Sequence, residues 1–129
     1  MQELLDAVAV ESGSKVSRKS DEFGFEWLVV HDGDFEDLVT TVHLVASELQ
    51  SRGFGPQLLC TLVSFAGDSG KRLGLVYLYK RGTFYPFAPL DNERRDNALE
   101  LQVRGAVGAD LKIETDLSRW FPVWGAPGL

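Results

Sequence analysis

Residues 57–87, QLLCTLVSFAGDSGKRLGLVYLYKRGTFYPF, decide the fold. Gln57 to Phe65 and Arg72 to Lys80 are two strand candidates in close succession, and the loop between them contains Gly67-Asp68-Ser69-Gly70, a hairpin signal. The Arg81-Gly82 turn leads into a third strand, Thr83 to Phe87. Pro86 has no N–H to give a ladder, so that strand lies at an edge or ends there. Three strands joined by turns this short run antiparallel.

Working outward toward the N-terminus, Phe35, Leu38, Val39, Val42, Val45, Ala46 and Leu49 recur at helical spacing. Asp34 is placed to cap this helix, Glu36 and Asp37 suit the positive end of its dipole, and Gly53 with Pro56 ends it. Before it, Phe23 to Val30 alternates, with Phe23, Phe25, Trp27 and Val29 on one side, and predicts a strand. Lys15 to Lys19 pairs with it through a turn at Ser20 to Glu22. Gln2 to Val10, with Leu4, Leu5 and Val8, predicts a short helix, and residues 1–14 are expected to be mobile. Toward the C-terminus, Asp91 is expected to cap a helix reaching Val107, with Leu99, Val103 and Ala106 on its apolar stripe and Ala98 and Leu101 beside it. Glu100 and Arg104 form an i, i+4 pair on it. Residues 112–129 read as an irregular cover holding Trp120, Phe121 and Trp124.

The order is helix, two strands, helix, three strands, helix, tail. It predicts one α+β domain over residues 1–129, a two-layer sandwich with helices on one face of a mainly antiparallel sheet. With 129 residues, 44% hydrophobic and 25% charged, the chain has the composition of a single folded domain. Its longest nearly apolar run, Leu73 to Tyr79, is far short of the about 20 residues a membrane-spanning helix needs. The acidic start lacks the basic region of a secretory signal, so a cytoplasmic protein is expected. A net charge of −6 argues against nucleic acid and anionic lipid as partners. One cysteine and two histidines exclude a disulfide framework and the usual structural zinc sites.

Catalytic chemistry has little to build on. Cys60 alternates with Leu58 and Leu62 and reads as an inert core thiol. His31 and His43 stand alone. Asp32, Asp34, Glu36 and Asp37 lack the spacing of a calcium loop and read as helix capping. The glycines of GDSGKR match no phosphate-binding pattern. No catalytic, metal or cofactor residue is assigned, although a pocket using His43 or Asp96 would make a small-molecule enzyme or binding domain the alternative. A self-assembling module is the third reading.

The segment Tyr79 to Asp96, YKRGTFYPFAPLDNERRD, gathers aromatics, prolines and bases. Phe84 and Pro86 face opposite to Tyr85 and Phe87 in a strand, so a two-layer sheet is able to bury one pair and present the other. Exposed aromatics with arginine suit the centre of a protein interface. Aromatics as core with the tail tryptophans as lid is the plainer reading of the segment; in the partner-binding reading the contact residues are Lys80, Arg81, Phe84, Tyr85 and Arg94.

The wording of four stretches, GFGPQLLC (Gly53 to Cys60), YLYKRGTFYPFAP (Tyr77 to Pro89), RRDNALEL (Arg94 to Leu101) and RWFPVWGAP (Arg119 to Pro127), resembles the PspA-associated protein PspAB family, linked to the phage-shock protein A system of envelope stress. The resemblance runs from about Val16 to Pro127. It implies a non-enzymatic adaptor or regulator that binds a PspA-like coiled-coil protein or a companion subunit, reaching the membrane only through that partner. It also implies a further N-terminal segment ahead of Met1, whose lack would open a sheet edge and favour a homodimer. The alternation of elements is similar to the YbjN and secretion-chaperone fold, an analogy of fold alone.

Overall fold

Asp34 opens the longest helix, and the chain on either side of it builds the first of two compact units, Met1–Leu58 and Leu59–Leu129. The computed structural model describes residues 15–67 and 71–129. The helix expected over Gln2 to Val10 and the middle of the Gly-Asp-Ser-Gly loop lie outside the described residues. Each unit is α+β: the described residues form two α-helices and antiparallel strand pairs.

In the first unit, β1 (Lys15–Ser20) and β2 (Glu26–His31) pair antiparallel, with Val16 opposite Val30 and Arg18 opposite Leu28. The strand predicted from Phe23 starts three residues later, at Glu26. Asp21 explains the difference: its Oδ1 accepts the backbone N–H groups of Phe23 and Phe25, and its Oδ2 accepts the indole Nε1–H of Trp27 at 2.8 Å. A side chain that satisfies backbone donors locally competes with the ladder. Phe23 and Phe25 thus sit in the turn, about half exposed, and are not core.

Helix α1 (Phe35–Ser51) begins as expected, with the Asp34 carboxylate accepting from the N–H of Asp37. It ends in a Schellman arrangement. Gly53 adopts φ 88°, its N–H reaches the Gln50 carbonyl, and the N–H of Phe54 reaches the Leu49 carbonyl at 2.8 Å. Phe54 and Leu58 then pack with Val16, Leu28 and Leu44 on the buried pair Val45 and Leu49. The buried stripe is Thr41, Val45 and Leu49, so Phe35 and Val39, expected on it, stand at the exposed margin. After a 3-10 turn at Gly55–Gln57 the first unit closes.

The second unit is built on a meander of β3 (Cys60–Ala66), β4 (Arg72–Leu78) and β5 (Thr83–Phe87), in that order and antiparallel throughout. Gln57 to Leu59, predicted as strand, are not in it, because Pro56 already fixes the 3-10 turn. One face carries the core: Val76, Tyr85 and Phe87, at most 1% exposed, and Trp120, joined by Leu62, Leu78, Ile113, Val123, Trp124 and Leu129. The tail is the irregular cover expected, with a 3-10 turn at Leu117–Arg119. At its end Leu129 approaches β4 where Gly74 leaves room, a Cβ there meeting Leu129 at 3.0 Å.

Between β5 and the second helix lies a small hairpin, β6 (Pro89–Leu90) with β7 (Arg94–Arg95). Its loop places Asn92 and Glu93 at positive φ. The Asp91 cap is therefore a correction. Asp96 is the N-cap, accepting from the N–H of Leu99, and α2 runs Asn97–Val107. Glu100 is the buried residue of that helix, and Ala106 and Leu101 are exposed.

Candidate interaction surface

The β4–β5 turn is short because its backbone closes on itself. The N–H groups of Arg81 and Gly82 both reach the Leu78 carbonyl, and Gly82 takes φ 66°. Lys80 and Arg81 consequently project at the tip, both exposed. Beside them, the chain after α2 returns along β5. The N–H of Phe84 donates to Lys112 O and the N–H of Glu114 to Phe84 O, each at 2.8 Å, in a parallel bridge of Phe84 with Ile113.

That bridge buries Glu114, 2% exposed, under the turn. Its Oε1 accepts from Arg81 Nε and, at 3.5 Å, from the Thr83 hydroxyl, while its Oε2 accepts the Asp116 N–H. The Arg81 guanidinium holds the Glu114 carboxyl below its ordinary range, and the carboxylate raises the guanidinium in return. Arg81 is thereby a pinned cation, with Lys80 exposed at the same tip.

The face of the meander opposite the core carries aromatics. Phe84 is half-buried with its ring 4.8 Å from that of Tyr77, and Tyr77 meets Tyr79 edge-on at 5.2 Å. The Tyr79 hydroxyl is bonded to Thr61 Oγ1. Phe84 thus belongs to a half-buried aromatic row next to Lys80 and Arg81.

Tyr85 does not. It is 1% exposed, its hydroxyl donates to Phe121 O at 2.8 Å, its ring stacks on Trp120, and burial pushes its phenol well up from the ordinary value. The alternation of β5 puts Tyr85 and Phe87 on one side and Phe84 and Pro86 on the other. The tail tryptophans cover the first pair, but Pro86 is buried as well, so the second pair is not presented as expected and only Phe84 of the four stays half-buried. Arg94 is exposed on β7, with its Nε donating to Asp91 O at 3.2 Å.

Its neighbour Arg95 turns inward and is the residue the sequence reading passed over. Its Nε donates to Glu100 Oε2 at 2.9 Å, its Nη1 to Trp120 O at 2.6 Å, and its guanidinium lies 5.0 Å from the Phe87 ring centroid. The same Glu100 oxygen accepts the Ala88 N–H. Glu100, expected to pair with Arg104 on the helix surface, is instead 2% exposed and committed to Arg95. In a two-residue strand one of two adjacent arginines must face the core, and that alternation was the available signal. Nothing near Glu114 in the sequence announces its role.

The remaining candidates are scattered. Cys60 is half-buried and burial raises its thiol. His31 and His43 are exposed in the first unit. Asp32 and Asp34 serve the entry to α1, where the Asp34 charge raises the carboxyl of Asp37. Asp96, spent on its cap, lines an open depression of about 170 Å³ with Lys71, Arg72, Asp91 and Leu99. That is below the about 300 Å³ at which small-molecule pockets begin. Among the described residues no three His, Cys, Asp or Glu side chains are grouped to hold a metal ion, and no helix is long and apolar enough to cross a membrane.

A family model described as PspA associated protein B matches residues 1–128, nearly the whole chain. No curated protein and no solved structure matches.

Proposed function

Because the chain belongs to the PspA associated protein B family, we propose that it is a non-enzymatic adaptor or regulator that binds a PspA-like coiled-coil protein, or a companion subunit, in the cytoplasm. Membership of a family named for association with PspA is the observation that carries this reading. The β4–β5 turn supports it. A pinned arginine and a supported aromatic row are residue types enriched at the centre of protein interfaces, and the exposed lysine beside them adds a rim charge. Lys80, Phe84 and Arg94 are the contact residues in this reading, with Arg81 rigidifying the turn as well as facing the partner. Tyr85, in the core, is removed from the set. Lys80 and Arg81, cations on a protein of charge −6, would orient an acidic helical surface against the turn, with Arg94 beyond the other end of β5 as a separate contact.

The test is an affinity pull-down of the tagged chain from its native lysate, read by mass spectrometry, beside a Lys80→Glu, Arg94→Glu double variant. Enrichment of a PspA-like protein that disappears in the variant, while the melting temperature stays within a few degrees, is the expected outcome. Equal enrichment by both chains would move the contact off both Lys80 and Arg94.

A further inference from the structure

Independently of the reading above, the hydrogen-bond parity of β3 defines which of its residues turn their backbone groups away from β4. The register of β3 with β4 runs from Cys60 opposite Leu78 to Ala66 opposite Arg72. Just beyond its two ends, the N–H of Tyr79 donates to Leu59 O and the N–H of Gly67 to Lys71 O. In an antiparallel ladder hydrogen-bonded positions alternate, so the odd-numbered residues between them turn their N–H and C=O toward β4. Cys60, Leu62, Ser64 and Ala66 turn theirs the other way. In the second unit β3 is the outer strand of the meander, and among the described residues no strand pairs with that outer side.

This edge carries none of the usual guards. CTLVSFA has no charged residue and no proline, and its register with β4 is continuous, without a bulge. Edges in stable monomers are blunted by such features or covered. We propose that the outer edge of β3 pairs antiparallel with β3 of a second copy of this chain, about a two-fold axis through Val63.

The side chains favour that occupant. With Val63 on the axis, Cys60 of one copy faces Ala66 of the other and Leu62 faces Ser64, so all four outward residues of each strand exchange both backbone bonds. Two copies of a chain of charge −6 repel wherever equal charges meet at a two-fold axis, and β3 places no charge there. The two Val63 side chains, half-buried, form a β-branched pair at the closest, non-hydrogen-bonded position. The result is a six-stranded sheet across the dimer.

Cysteine placement tests the register. In a Cys60→Ala background, Val63→Cys puts the two thiols on residues with Cα atoms about 4.5 Å apart, within disulfide range. Ala66→Cys in the same background faces residue 60 of the other copy and finds no thiol. The expected results are twice the 14.3 kDa chain mass by light scattering, a covalent dimer on mild oxidation of the Val63→Cys chain, and none with Ala66→Cys. Val63→Lys, which sets two ammonium groups face to face, should return the mass to that of one chain. A monomeric mass across the concentration range with no Val63→Cys cross-link overturns the proposal, whether the edge is then covered by another part of this chain or by a different protein. Equal cross-linking through position 66 overturns the register and with it the proposal.

Discussion

Glu114 is held ionised by a neighbour thirty-three residues away, and its titration is a direct readout of that contact. The Arg81 guanidinium depresses the folded-state carboxyl below its unfolded value. A group depressed in this way contributes its stability above the unfolded value and loses it as pH falls through the folded one. Wild-type protein should therefore resist acid down to a lower pH than Arg81→Met, whose carboxylate takes up its proton earlier. Acid unfolding followed by circular dichroism should show the variant midpoint displaced upward in pH, and coincident midpoints would mean that Arg81 and Glu114 do not interact in solution. None of this was legible in the sequence, because the pairing depends on the Ile113 bridge to Phe84, a contact with no local pattern. The Glu100 error has the same origin. Glu100 and Arg104 satisfy the helical i, i+4 rule, but a buried backbone N–H at Ala88 and an inward guanidinium at Arg95 claim the carboxylate first.

Helix α1 was readable from end to end because both its stops are local. Asp34→Ala removes an acceptor from the N–H of Asp37 and should cost about 1 kcal/mol. Gly53→Ala forces a Cβ into a left-handed position at φ 88° and should cost about 1–2 kcal/mol. Denaturant midpoints of the two variants check both figures, and the double variant should show near-additive losses, since the two ends of α1 share no partner. Strand starts were less legible. Phe23 and Phe25 fit the alternation of β2, yet a single Asx carboxylate at Asp21 holds their backbone in a turn. The entry to α2 failed likewise: Asp91 and Asp96 both offer capping side chains, and the positive φ values at Asn92 and Glu93 make the first a hairpin loop. For β5 the pattern expected one buried and one presented pair, whereas Pro86 is buried along with Tyr85 and Phe87, and the tail that covers the latter two lies more than thirty residues downstream.

At the scale of the whole molecule, the antiparallel meander and the α+β class followed from turn chemistry and periodicity, and the family from four long stretches of wording. Position within the surface did not, since Tyr85 and Phe84 differ only in parity. The two units differ in how deeply they bury their centres. Val76 and Phe87 are fully enclosed, whereas Val45 and Leu49 keep 6% and 5% of their surface. Strand β4, paired on both sides and lying over the enclosed cluster, should hold the slowest-exchanging amides, with those of α1 exchanging sooner. Native-state hydrogen exchange measured by residue decides this, and slowest exchange in α1 would reverse the ranking. The tryptophans make the same division visible in light. Trp27, its indole against the Asp21 carboxylate, belongs to the first unit, and Trp120 and Trp124 belong to the second. Replacing Trp27 with phenylalanine would leave an emission spectrum owned entirely by the second unit. The protein is in this sense supplied with its own pair of optical labels, able to time the unfolding of each half in a single stopped-flow trace.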